Sequence, residues 1–131
     1  MKVRDFRELN VYELARASGM KVFELTKAFP RDERFSLTDQ IRRSSRSIRA
    51  NIAEAWRKRR YPAAFLNKLS DADPEAAETT VWLDVALECG YISDQTHQEL
   101  LDAYDHICAQ LTKISSAPEQ WCNPKPRVEF Q

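Results

Sequence analysis

The chain has 131 residues, 43% of them apolar and 31% charged, the balance of one folded domain rather than of a disordered segment. Twenty basic side chains offset twenty acidic ones, so net charge alone points to no polyanionic partner. Only two glycines occur, Gly19 and Gly90, which excludes glycine-rich phosphate loops and strained nucleophile turns, and no apolar run nears the ~20 residues of a membrane span.

The opening MKVRDFRELN lacks the apolar core of a signal peptide, which predicts a cytoplasmic location. Val11, Ala15, Ser18, Val22, Leu25 and Phe29 then recur at steps of three and four, the stripe of a helix packed in a bundle, with Asn10 as its cap and Pro30 as its end. Ser36, with Asp39 three residues on as a weak capping box, opens a second helix read as 36–59, on which Leu37, Ile41, Ile48, Ile52 and Ala55 share a face. Pro62 suits the first turn of a third helix, where its missing N–H costs nothing. Phe65, Leu69, Ala72, Ala76, Leu83 and Leu87 carry that stripe to a stop at Gly90, and Pro74 inside it predicts a kink or local break. Ser93 or Asp94 opens a fourth helix bearing Leu100, Leu101, Tyr104, Ile107, Leu111 and Ile114. Residues 115–131 hold three prolines and no periodicity, so they read as a tail whose Trp121 and Phe130 are placed to dock on a partner or a neighbouring subunit.

The expected architecture is therefore all-α: an antiparallel, up-down-up-down four-helix bundle over residues 1–114, followed by the tail. A second apolar set, Tyr12, Phe23, Trp56, Val81, Trp82 and Val85, exceeds what so small an interior holds, and part of it is expected to cover a subunit interface.

The charge is neutral in sum and polar in layout. Residues 1–68 hold 17 basic and 8 acidic side chains, whereas 69–112 hold ten acidic and no basic ones. At about 100° per residue, Arg42, Arg46, Arg49, Arg57 and Arg60 fall within an arc of about 80°, away from Ile41, Ile48 and Ile52, with Arg43, Lys58 and Arg59 nearby. Such an arginine ridge has three possible occupants: the acidic helices of its own chain, the acidic face of a second copy in a closed ring, or the phosphates of a nucleic acid.

The remaining residues suggest structure more than chemistry. His97 and His106 lack the Glu-x-x-His pairs of a metal bundle, and Asp71, Asp73, Glu75 and Glu78 lack the turn glycine of a calcium loop, so no metal is expected. Cys89 and Cys108 read as core thiols and, with Cys122, make an odd number without CxxC spacing. Asn51, at the edge of the apolar arc, is suited to fixing packing register, and Glu54 to pairing with Lys58 at i+4 or with an arginine across an interface. No nucleophile–base pair or phosphate loop is present, so no enzyme, cofactor or small-molecule substrate is expected.

The stretch QIRRSSRSIRANIAEAWRKRRY, residues 40–61, resembles the signature of the four-helix-bundle family named after proteins encoded in intervening sequences of bacterial 23S ribosomal RNA genes. FRELNVYELA, LTKAFP and FLNKLSDADPEAAETTVWLDVALECGYI extend the resemblance over residues 6–114, with Ala55 where many members have Gly and Pro74 where they are helical without proline. The family is similar in fold to the accessory protein of diversity-generating retroelements. The resemblance implies a homopentameric barrel and a basic surface that contacts RNA or a nucleoprotein. Arg42 and Arg43 match the motif arginines, and Ser47, Asn51 and Glu54 its polar positions, here expected with Trp56 and Trp82 to be structural or interfacial. It supplies no catalytic residue and no cofactor. A protein-only adaptor, its basic face used up in subunit contacts, is the alternative.

Overall fold

The computed structural model describes residues 3–122. Four helices dominate it: α1 (Asn10–Thr26), α2 (Leu37–Arg57), α3 (Pro62–Glu88) and α4 (Asp94–Ser116). No strand occurs among the described residues. Each helix packs on the two that adjoin it around the bundle, with α2 and α3 the most extensive pair. Tyr12 meets Arg49, Ser44 meets Thr79, Asp84 meets His97 and Lys21 meets Glu99, so early residues of one helix face late residues of the next throughout. The chain is an antiparallel up-down-up-down bundle.

The interior is filled by Val11, Ile41, Ile48, Ile52, Leu83, Leu100, Tyr104 and Ile107, all close to fully buried. Between α2 and α3 the side chains are small: Ser44, Ala72, Ala76 and Thr79 are fully buried. Close approach is possible there because the Ser44 and Thr79 hydroxyls, 2.8 Å apart, satisfy one another.

The helix ends differ in detail from the sequence expectations. Leu9, not Asn10, is the N-cap of α1, and the helix stops at Thr26, with Lys27–Phe29 forming a turn before Pro30. Ser36 is the N-cap of α2, yet its hydroxyl donates backwards to Glu33 Oε1 at 2.6 Å instead of joining a capping box with Asp39. Ser93 does cap α4, its Oγ accepting from the Thr96 backbone at 3.1 Å. The close of α3 is a Schellman motif: the Tyr91 N–H bonds the Ala86 carbonyl at 2.8 Å and the Gly90 N–H that of Leu87 at 2.9 Å. Gly90 takes φ +77, a left-handed conformation that a side chain would strain.

Of the kink or local break expected at Pro74, the break does not occur: α3 continues as one helix through it. Pro74 is exposed while Ala72 and Ala76 on either side are buried, so the Ser70 carbonyl that loses its partner lies where solvent can replace it. Beyond α4, a 3₁₀ turn over Pro118–Gln120 lays Trp121 and Cys122 against the core of their own chain. Trp121 is thus half-buried against its own chain, and Phe130 lies outside the described residues.

Charge follows the helices. α2 carries five arginines against Asp39 and Glu54, whereas α3 sets six carboxylates against Lys68 and α4 four against Lys113.

Candidate nucleic-acid interface

The basic ridge is built on the edge where α2 meets α1, and aromatic rings of α1 form its floor. Phe23 carries the Arg42 guanidinium 4.7 Å and the Arg46 guanidinium 5.7 Å from its ring centroid. Tyr12 carries that of Arg49 at 5.3 Å. Thr26 Oγ1 accepts from Arg42 Nε at 2.8 Å, and the Tyr12 hydroxyl accepts from Arg49 Nη2 at 2.9 Å. Each cation–π contact at such a site contributes about 0.5–1 kcal/mol, and together with the two hydrogen bonds they fix side chains that would otherwise sample many rotamers. The outer edges of these planar groups stay free to donate. Tyr12 and Phe23, expected in part to cover a subunit interface, thus have a defined place inside the chain.

Electrostatics sets the ridge apart. Among the described residues, Arg42, Arg46, Arg49, Arg57 and Arg60 have no carboxylate within ion-pair distance. Glu13 comes nearest in effect: its carboxyl is held below the usual range chiefly by the hydrogen bond from Arg16, with Arg49 a smaller contributor. The acidic helices of the same chain therefore leave the ridge unneutralised.

The neighbouring cations fare differently. Arg43, outside the arc, reaches α3, pairing with Glu75 at 3.3 Å and with Glu78, and both acidic partners hold its pKa above the usual value. Arg59 lies flat on Trp56, 3.4 Å from the ring centroid, and donates from Nε to the Trp56 carbonyl at 2.9 Å; burial pulls its pKa down. It is half-buried, one face of its guanidinium covering the Trp56 ring. Because α2 stops at Arg57 rather than 59, Lys58 and Arg60 sit in the link to α3, exposed but off the helical face on which the wheel places Arg60.

The polar positions also find partners within the chain. Ser47 Oγ accepts from Asn51 Nδ2 at 3.2 Å, a bond within α2 between half-buried side chains, so Asn51 makes no cross-helix bond that would set register within the chain. Glu54 pairs with Lys68 of α3 at 2.9 Å, not with Lys58. Trp56 is 6% exposed, buried in its own core rather than at an interface. Trp82 is half-buried and donates to Glu78 Oε1 at 3.3 Å.

Elsewhere, His97 is an inter-helix pin, its Nε2 2.7 Å from Asp84 Oδ1, rather than a solvated or capping histidine. Cys89 is exposed, contrary to the core reading; Cys108 is half-buried, and burial, ahead of Asp73, pushes its thiol up to about 11. Among the described residues no group of three or more His, Cys, Asp or Glu side chains is placed to hold a metal, and no helix is long and apolar enough to cross a membrane.

Sequence reasoning passed over Arg34 and Phe35. Phe35 is 83% exposed, and with Arg34, Arg42 and Arg46 it lines an open groove at the start of α2. The signal was there in RDERFS, an aromatic flanked by arginine inside a polar link.

The sequence profile described as 23S rRNA-intervening sequence protein matches residues 7–113. No curated protein matches the chain significantly. Among solved structures, the chain is similar to a protein of unknown function from the S23 ribosomal protein family of Bacteroides thetaiotaomicron VPI-5482, with 30% identity and a TM-score of 0.73 over 81% of this chain and 95% of that one.

Proposed function

The chain belongs to the family of 23S rRNA-intervening sequence proteins, and on that premise we propose that it is a non-enzymatic, cytoplasmic scaffold that assembles into a ring and contacts RNA or a nucleoprotein through the arginine face of α2. The observation that carries this reading is the ridge itself: Arg42, Arg46, Arg49 and Arg57 share one helical face, and no carboxylate of the described chain neutralises them. Guanidinium forks remain charged at any physiological pH and match phosphate in geometry, so the face is suited to a polyanion. Arg60 and Lys58 add exposed positive charge beyond the end of the helix, off that face.

The division of charge supports the ring. A basic face on one side of the bundle and exposed Asp71, Asp73, Asp102 and Asp105 on α3 and α4 are complementary but different surfaces, so copies that join through them form a heterologous contact, which closes into a ring when the rotation permits. Five subunits is the number that the resemblance to the family implies. The same acidic surfaces support the alternative, a protein-only adaptor in which the ridge is consumed between subunits.

One double variant separates the two. Arg46→Glu with Arg57→Glu reverses two exposed charges and leaves Arg49, with its hydrogen bond to Tyr12, intact. Loss of RNA retention with the assembly unchanged in size-exclusion chromatography with light scattering is the expected result. Dissociation of the assembly assigns the ridge to subunit contacts, and retention unchanged at moderate salt rejects the RNA reading, since phosphate contacts weaken steeply as salt rises.

A further inference from the structure

The groove at the start of α2 differs from the rest of the ridge because it adds an open aromatic ring to the arginines. A single exposed apolar side chain signifies little on its own. Phe35 is distinguished by its surroundings: the Arg34 guanidinium stands 5.1 Å from its ring centroid, and Arg42 and Arg46 line the same groove. With 83% of the residue exposed, most of the ring is open to a ligand.

The Glu33 carboxylate, just before α2, is engaged by the Ser36 and Tyr91 hydroxyls. The groove offers a phosphate its arginine side chains. Of the arginines nearby, Arg43 is committed to Glu75 and Glu78, which leaves Arg34, Arg42 and Arg46 facing one carboxylate, Asp39.

A flat apolar ring beside three cations matches a ligand with a flat aromatic face beside negative charge. Resting on the nucleic-acid reading of the ridge, we propose that this groove holds an unpaired nucleotide of a single strand, its base stacked on Phe35 and its flanking phosphates on Arg34, Arg42 and Arg46. An acidic peptide would use the arginines and leave the ring idle. A duplex hides its base faces, so it too would meet only the arginines. The groove thus selects single-stranded over paired segments by stacking, while the remainder of the ridge supplies affinity that ignores pairing.

The test is fluorescence anisotropy with a labelled oligouridine and with the same label on a fully paired RNA duplex, on the full chain. Phe35→Ala weakens the single strand on the order of tenfold, leaves the duplex unchanged and leaves the salt dependence unchanged, and Phe35→Trp restores binding. Arg46→Ala weakens both ligands and flattens the salt dependence, and Asp39→Asn strengthens both by removing a carboxylate that repels phosphate. If Phe35→Ala has no effect on the single strand while Arg46→Ala weakens it, the stacking site is wrong and the phosphate ridge stands. If the unaltered protein binds neither ligand, both readings fall together. If Phe35→Ala changes the oligomeric state by light scattering, Phe35 is a subunit contact and the proposal is overturned.

Discussion

Arg49 crosses from α2 to α1 to donate from Nη2 to the Tyr12 hydroxyl at 2.9 Å, while its guanidinium lies 5.3 Å from the centroid of the same ring. Tyr12 is itself braced by Phe6, edge-on at 5.0 Å. The arginine is thus held by two contacts with one side chain, and only one of them needs the hydroxyl. Tyr12→Phe should keep the stacking and cost about 1 kcal/mol of stability in urea denaturation, because the half-exposed guanidinium regains water in place of the lost acceptor. RNA affinity should not fall in this variant, since a donor is released rather than removed.

Tyr104 is buried at the heart of the bundle, and its hydroxyl has no hydrogen-bond partner among the described residues. Leaving a buried hydroxyl unpaired costs ~1–3 kcal/mol, so Tyr104→Phe should raise the urea midpoint, where most core substitutions lower it. Burial also pushes the phenol above its ordinary pKa of 10.0. The unfolded chain releases this proton near pH 10 and the native one retains it, so Tyr104 makes stability fall as pH rises beyond that point. The variant should lose less stability than the parent between about pH 10 and 12.

Tyr91, just past the Schellman turn of α3, donates to Glu33 Oε2 at 2.9 Å and so ties the end of α3 to the link that carries Phe35. Hydrogen bonds from Ser36 and then Tyr91 hold the Glu33 carboxyl below its ordinary range, while the bond to Glu33 pushes Tyr91 up to about 12. The lowered acid contributes stability above its unfolded pKa, lost as pH falls through the folded one. The raised phenol contributes below its unfolded pKa, lost as pH rises toward about 12. Tyr91→Phe should therefore be least stable relative to the parent between about pH 5 and 10, the difference narrowing on both sides. Carboxyl-detected NMR titration should show the Glu33 pKa moving back toward its ordinary value.

Pro74 stands inside α3 and cannot donate to the Ser70 carbonyl. Pro74→Ala supplies the missing N–H at an exposed position without disturbing the buried Ala72 and Ala76. A higher melting temperature is expected, corresponding to up to ~3 kcal/mol, with slightly greater ellipticity at the helix minimum.

Much of the bundle was legible because the α1 and α2 stripes, Pro62 and Gly90 are local signals of burial and backbone geometry. The arginine face was legible for the same reason, as far as the helix lasts. Arg60 was misplaced because the wheel assumes a helix beyond Arg57, where this one has already ended. Partners from other helices left no trace in spacing: Glu54 finds Lys68, Arg43 finds Glu75 and Glu78, and His97 finds Asp84 only once the chain has folded. Trp56 reads as surplus until Arg59 lies across it and Trp121 packs at the same end of the core. Pro74 shows the reverse case, a local signal for a break that does not end the helix, whose buried Ala72 and Ala76 pack on the opposite side.

The allocation of arginines to α2 and of carboxylates to α3 and α4 gives the molecule a permanent electric dipole with almost no net charge, the isoelectric point being near 6.7. Near neutral pH, copies lack the mutual repulsion that keeps most proteins dispersed, and their unlike ends attract. Added salt screens that attraction, so the free chain dissolves better as ionic strength increases and is most prone to cluster in dilute buffer.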